Sequence, residues 1–262
     1  MRFLLTTLAL TLAMVGTADA RVKQPQKKKY PIPEFSAKSY IIADSAGVVL
    51  KEHDMDAILP IASISKLMVG LLASEQNLED DLEIPTKREV QSSIPKKVKT
   101  LTRRDLLMLA LVKSDNLAAQ VLCTNLPDCI DKMNARANEL GMFSTHYSEP
   151  TGLSAENTST ANDLLKLMIV AAQDPVITHV SSMPFIEIHT NGKSIKVKNT
   201  NPLTNTLDIS LSKTGYTKPA GGCLVMILNT NAGQRILILL GSKNSKTRIP
   251  DMERLVKGLD SN

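Results

Sequence analysis

In "KSYIIADSAGVVLKEHD" (38–54) two alternating apolar runs flank a Ser-Ala-Gly turn, a pattern that predicts a β-hairpin. The next apolar run starts at Ser63 in "PIASISKLMVGLL" (60–72); its leucines, methionine and valine recur at helical spacing and predict a buried helix. "TRRDLLMLALVKSDNLAAQVLC" (102–123) and "DCIDKMNARANELGM" (128–142) predict at least three more helices joined by short loops. "TSTANDLLKLMIVAA" (158–172) adds another, with Thr160 as N-cap and Asp163 three residues on. After Pro184 the period changes to alternation. "FIEIHTNGKSIKVK" (185–198) predicts a hairpin about Asn191-Gly192. "LDISLSKTG" (207–215), "GCLVMILNT" (222–230) and "QRILILLGS" (234–242) predict three more strands, the last two joined by a turn at Asn231 to Gly233. "TRIPDMERLVKGL" (247–259) closes the pattern as an amphipathic helix. Strands at both ends with helices between them predict an α+β fold: one antiparallel sheet built from both ends of the chain, an inserted helical lobe, and a cleft where the two meet.

Upstream of this pattern, "MRFLLTTLALTLAMVGTADA" has an early cation at Arg2, an apolar centre from Phe3 to Val15 and a small-x-small ending at Ala18 and Ala20. That is the layout of a secretory signal peptide, residues 1–20, cut after Ala20. Its apolar stretch is too short to cross a hydrocarbon core of about 30 Å comfortably. No later segment approaches that length, so the mature chain is expected to be exported, without an integral membrane span. Residues 21–35, rich in Pro and Lys, read as a flexible basic linker, and residues 36–262 as a single globular domain large enough for one substantial core.

The formal net charge of +5 survives signal removal, because Arg2 and Asp19 leave together. A modest positive excess suits an anionic surface such as a cell wall. With no Trp, four Phe and four Tyr, the chain lacks the stacking aromatics of a nucleic-acid binder. Of three cysteines, Cys123 and Cys129 can close the short loop "CTNLPDC" in an oxidising compartment, leaving Cys223; the other reading is three reduced thiols. Cys223 lies in an apolar run and reads as a core residue. No Cys/His spacing resembles a zinc site, and no metal or cofactor is implied.

The chemistry lies in three short motifs: Ser63-Ile-Ser-Lys66, Ser114-Asp115-Asn116 and Lys213-Thr214-Gly215. Average residue usage gives a Ser-x-x-Lys match about once per chain of this length, so alone it says little. A given Ser-Asp-Asn or Lys-Thr-Gly tripeptide is expected in about one such chain in twenty. All three, in this order, on a predicted helix start, an interhelical loop and a strand end, are far rarer. A serine hydroxyl becomes an effective nucleophile only when a nearby base takes its proton. Ser63 and Lys66, three apart on a helix, share one face, and Lys66 can act as that base if burial or a neighbouring cation such as Lys213 lowers its pKa. Free N–H groups at the helix start suit a developing oxyanion, which favours the Ser63 amide. Taken singly, each motif has a plainer reading: Ser63 as an N-cap, Ser-Asp-Asn as a loop before a helix, Lys-Thr-Gly as a strand running into a turn. Ser65 lacks the pairing, since its i+3 residue is Met68.

With these motifs, "MNARANELGM", "EPTGLSAENTSTANDLLKL" and "KTGYTKPAGGCLVM", the chain resembles the serine D-alanyl-D-alanine carboxypeptidases and endopeptidases, the low-molecular-mass penicillin-binding proteins related to serine β-lactamases. The likeness runs from about Ser39 to Gly258. It implies a β-lactamase/DD-peptidase fold, peptidoglycan stem peptides as substrates and β-lactam antibiotics as covalent inhibitors. It also implies a role for each residue. Ser63 is the acyl-ester nucleophile and Lys66 its base. Ser114 relays a proton to the leaving group, and Asn116 holds Lys66 and the substrate backbone. Lys213, Thr214 and Gly215 bind substrate, Lys213 and Thr214 at its terminal carboxylate, and the Tyr216 amide is a second oxyanion donor. Glu149 reads as structural, because its spacing does not match the Glu-x-x-Leu-Asn pattern of class A β-lactamases. Carboxypeptidase and endopeptidase action both remain open, with the absence of a further domain leaning toward the latter. The alternatives are a β-lactamase-type hydrolase and a non-catalytic penicillin- or wall-binding protein. The location implied is the periplasm, or else the outer cell-wall surface.

Overall fold

The computed structural model describes residues 35–190 and 193–259. The expected signal peptide, residues 21–34 of the expected linker and the Asn191-Gly192 turn lie outside them. The first hairpin pairs β1 (Ser39–Asp44) with β2 (Val49–His53). After a short strand β3 (Leu59–Pro60), a single 3-10 turn (Ala62–Ser65) leads into α1 (Lys66–Ser74). The two-stranded ribbon β4 (Asp81–Glu83) and β5 (Thr100–Thr102) precedes α2 (Arg103–Met108), whose N-cap Thr102 accepts from the Asp105 amide. α2 runs on into a wide π turn (Leu109–Lys113), followed by α3 (Asn116–Thr124) and α4 (Cys129–Glu139). β6 (Thr158–Ser159) pairs with β3, and α5 (Ala161–Ala171) follows. The Thr160 hydroxyl accepts from the Asp163 amide at 3.0 Å, the cap that the sequence predicts.

α6 (Pro175–Ser182) has Asp174 as its cap and Pro175 in its first turn, a start signal whose helix the sequence reading omits. The second hairpin, β7 (Phe185–Thr190) and β8 (Lys193–Lys198), is followed by β9 (Ile209–Thr217), β10 (Gly221–Thr230), β11 (Gly233–Ser242) and α7 (Arg248–Lys257).

The main sheet is five-stranded and antiparallel, in the order β2-β1-β11-β10-β9. The first and last strands of the domain therefore meet at its middle, with Ile41 opposite Ile238. Consecutive residues of β1, β10 and β11 are buried, so both faces of the sheet are covered: α5 packs on β1, β10 and β11, and α7 on β10 and β11. β9 forms one edge and packs against α6 and the Ala62–Ser65 turn. The α+β architecture expected from the alternating pattern is the one observed. Cys123 and Cys129 are joined in a disulfide, and Cys223 is a buried thiol that burial pushes up to about 11. Among the described residues no helix is long and apolar enough to cross a membrane.

Candidate active site

Ser63 does not open an α-helix. It sits in the 3-10 turn, and α1 begins three residues later at Lys66. The turn is held from two sides by glycines. A Cβ on Gly152 (φ +77°) would lie 2.0 Å from the Ala62 carbonyl oxygen and 2.7 Å from the Ser63 nitrogen. A Cβ on Gly215 would lie 2.9 Å from the Ile61 carbonyl oxygen and 3.2 Å from the Ser63 nitrogen. Ala62 itself is left-handed at φ 48°, a conformation disfavoured for a residue with a side chain. Tight backbone packing thus fixes the position of Ser63. Its hydroxyl caps no helix; it donates to the Thr151 carbonyl at 3.2 Å.

Lys66 is fully buried. Its Nζ donates to Ser63 Oγ at 2.9 Å, to Asn116 Oδ1 at 2.8 Å and to the Thr151 carbonyl at 2.5 Å. Burial lowers its pKa to about 7, against a smaller opposing pull from the Glu149 and Asp115 charges. At neutral pH about half of such groups carry a free lone pair. Lys213 is buried as well, and donates to Ser114 Oγ and to the Thr214 carbonyl, both at 2.8 Å. Burial first, then the Lys66 and Arg248 charges, push Lys213 well below the usual lysine range. The Lys66 charge thus adds to burial in disfavouring a second ammonium at Lys213.

Ser114 is left-handed (φ 60°) at the end of the π turn, and that backbone conformation aims its hydroxyl at Lys213. It bonds neither Ser63 nor Lys66 among the described residues. Asn116, two residues on, faces Lys66. Between them Asp115 turns away from the site: its carboxylate accepts from the Ala118 amide, the Ser92 and Ser93 hydroxyls and the Ser93 amide. Thr214 Oγ1 lies 2.6 Å from Thr200 Oγ1, and the Thr200 amide bonds the Val112 carbonyl, tying β9 to the π turn. Gly215 brings β9 against the Ser63 turn, its carbonyl accepts from Arg248 Nη1 at 2.8 Å, and Tyr216 beyond it is exposed. Ser63, Lys66 and Asn116 therefore form one hydrogen-bonded group and Ser114, Lys213 and Thr214 a second, near enough for the Lys66 charge to act on Lys213.

Three contributors escaped the sequence reading as site residues. Thr151 supplies the carbonyl that receives both Ser63 and Lys66. Asn157 holds that loop, accepting from the Ser148 amide and donating to Ser65 Oγ and the Glu149 carbonyl. Arg248 contributes through the Gly215 carbonyl. A backbone carbonyl carries no residue signature, and Arg248 belongs to a helix whose amphipathic pattern accounts for it without reference to a site. Glu149 is engaged as the sequence reading expects: its carboxylate accepts from the Thr151 amide and hydroxyl and from the Ser154 amide, which shapes the loop. Among the described residues no group of three His, Cys, Asp or Glu side chains is placed to hold a metal.

Comparisons with known proteins identify the family. A family profile described as D-alanyl-D-alanine carboxypeptidase matches residues 23–244. A D-alanyl-D-alanine endopeptidase of Pseudomonas aeruginosa is 35% identical over 98% of this chain and 87% of its own. One from Escherichia coli is 34% identical over 97% and 87%. Among solved structures, a penicillin-binding protein of Listeria monocytogenes in its ampicillin-bound form superposes with a TM-score of 0.79 at 28% identity, covering 86% of this chain and 98% of that one. A family match over most of the length, two relatives above 30% identity that match nearly all of this chain, and a shared fold lead to one conclusion: the chain belongs to the D-alanyl-D-alanine carboxypeptidase family.

Proposed function

We propose that the chain is an exported serine DD-peptidase that cleaves peptidoglycan stem peptides through an acyl-enzyme on Ser63, with endopeptidase action on cross-links as its main reaction. The observation that carries the reading is the buried Lys66 amine, 2.9 Å from Ser63 Oγ and lowered to about 7. When Lys66 is neutral the Ser63 hydroxyl donates to Nζ instead of receiving from it. As the Ser63 oxygen bonds to the D-alanyl carbonyl carbon, its proton passes to Lys66. The carbonyl oxygen becomes an oxyanion facing the Ser63 and Tyr216 amides. The proton taken up by Lys66 reaches the departing amine through the Ser114 hydroxyl as the C–N bond breaks, which leaves Lys66 neutral again; Lys66 then takes a proton from the water that attacks the ester and returns it to Ser63 Oγ as the acid departs. Lys213 and Thr214 receive the carboxylate next to the scissile bond; its negative charge offsets the repulsion from Lys66 and Arg248 and favours the Lys213 ammonium.

The names of the Pseudomonas aeruginosa and Escherichia coli relatives support the endopeptidase preference. β-Lactams follow the same path as far as the ester and act as covalent inhibitors. Glu149 is fully engaged by the Thr151 and Ser154 donors, which argues against a β-lactamase with a free carboxylate for rapid deacylation. The signal-like first twenty residues support a periplasmic location.

The test is to incubate the mature chain and Ser63→Ala with purified muropeptide monomers and dimers and to identify products by mass. Dimers converted to monomers by the wild type alone support the proposal. Equal activity in Ser63→Ala would overturn the mechanism, and loss of alanine from pentapeptides alone would reassign the reaction to a carboxypeptidase.

A further inference from the structure

Ser65 and Asn157 are both fully buried, and no step of the proposed mechanism uses either. Their side chains meet: Asn157 Nδ2 donates to Ser65 Oγ at 2.9 Å, and the Ser65 hydroxyl donates to the Ala62 carbonyl, also at 2.9 Å. Asn157 Nδ2 also donates to the Glu149 carbonyl at 2.8 Å, and Oδ1 accepts from the Ser148 amide and hydroxyl and from the Glu149 amide. The Asn157 backbone carbonyl accepts from the Ile61 amide at 3.0 Å. One asparagine thus grips the Ser63 turn at both ends, before it at Ile61 and after it at Ser65, and with the same side chain closes the loop that carries Thr151. Both N–H groups of its amide are used, so removing a partner leaves a buried donor unpaired.

What this grip fixes is the placement of the Thr151 carbonyl. That oxygen accepts from Ser63 Oγ at 3.2 Å and from Lys66 Nζ at 2.5 Å, across 88 positions of sequence in the first case. An ammonium has three donors, and those of Lys66 go to Ser63, Asn116 and Thr151. Packing of Gly152 on Ala62 sets how closely the loop approaches the turn. The directional bonds of Asn157 set where along the turn it docks.

Resting on the DD-peptidase reading, we propose that Ser65 and Asn157 are a positioning pair, whose mutual hydrogen bond holds the Thr151 carbonyl where it orients Ser63 and Lys66 for acylation. Neither residue touches the reacting atoms. The pair also acts on the Lys66 proton. A carbonyl oxygen that accepts from an ammonium favours the charged form. Glu149, carried by the same loop, favours it too, as does Asp115 from the α3 cap, while the Lys213 charge opposes it. Releasing the loop weakens the contributions of Thr151 and Glu149 and leaves those of Asp115 and Lys213, so Lys66 gives up its proton more readily. A general loosening that admits water does the opposite, returning the amine toward 10.5.

The experiment follows acylation by a fluorescent penicillin across the pH range of the Lys66 titration in the wild type, Ser65→Ala, Asn157→Ala and the double variant, with the penicillin dissociation constant resolved from the acylation rate constant. Ser65→Ala is expected to lower the plateau rate constant about ten-fold, less than the 10²-fold that a full ångström of displacement costs. The dissociation constant should stay within about two-fold, because the pair orients the reacting groups and does not contact the ligand. The apparent pKa should fall by roughly one unit. Asn157→Ala should move both readouts in the same directions and at least as far. The double variant should be within about two-fold of Asn157→Ala, because the serine acts through the asparagine. An unchanged or raised apparent pKa, an undiminished plateau, or losses that multiply in the double variant would overturn the proposal. A wild type that penicillin does not acylate would instead sink the DD-peptidase reading itself. If Asn157→Ala does not fold, Ser65→Ala decides the question through its plateau and its apparent pKa, since it leaves the other bonds of the loop in place.

Discussion

Lys66 can accept a proton only while neutral, and its amine is lowered to about 7 by burial. The rate of penicillin acylation should therefore rise with pH through an apparent pKa near 7 and then level off. A flat profile from pH 5 to 9 would exclude Lys66 as the base. The same shift is a statement about stability. Folded Lys66 releases its proton near 7 whereas the unfolded residue keeps it to about 10.5. Between those values the unfolded chain binds the extra proton, so this residue makes the fold more stable as pH rises, with a slope of up to about 1.4 kcal/mol per pH unit. Lys66→Met should abolish acylation and remove that rise, measured by urea denaturation at pH 6, 8 and 10; an unchanged pH dependence would show that the lysine is not held in a low-pKa state. Residue types and spacings in the sequence singled out Ser63, Lys66, Ser114, Asn116 and Lys213, of which the structure bonds Lys66 to Ser63 and Asn116, and Lys213 to Ser114. The carbonyl of Thr151 was not, because any residue has one.

At the scale of elements, the site depends on backbones that touch. Gly152→Ala would drive a methyl into the Ala62 carbonyl at a φ that alanine avoids. The Ser63 turn must then move, and a displacement of about 1 Å costs on the order of 10²-fold in rate. The expected outcome is a loss of penicillin acylation of that size; an unaffected rate would show that the turn is not held by this contact. Asp115 is the counterpart on the other wall. Asp115→Ala removes the α3 cap and the anchor of Ser92 and Ser93, and should cost about 2–4 kcal/mol in denaturant titrations. The sequence periodicity located α5, both hairpins and the three C-terminal strands. It did not locate the 3-10 turn at Ser63 or the π turn before Ser114. β9 and the Thr151 loop press on the first, and Thr200 bonds the Val112 carbonyl of the second; a local pattern holds no record of such distant packing.

For the molecule as a whole, the Cys123–Cys129 disulfide closes a loop with a separation of six residues, short enough that its loss should cost only about 2 kcal/mol. Among the described residues the side-chain hydrogen bonds of Ser63 and Lys66 run to each other, Asn116 and Thr151, and none to that loop. Reduction should therefore lower the melting temperature modestly while penicillin still acylates at close to its original rate. A collapse of acylation on reduction would mean that the loop supports the Ser63 cleft directly.

The sheet has a further consequence, one of timing. Residues 63–116 carry a nucleophile, its base and two of their neighbours, but the strand that presses on the Ser63 turn is β9, and β1 acquires its inner neighbour only when β11 arrives. An emerging chain thus holds its reactive side chains long before it can align them. The Gly215–Ser63 contact that does so joins residues about 150 positions apart, and the β1–β11 pairing behind it residues nearly two hundred apart, which makes the final docking a slow, late event. On the proposed mechanism, hydrolytic competence therefore waits for β9 and β11, however early the reactive side chains are made.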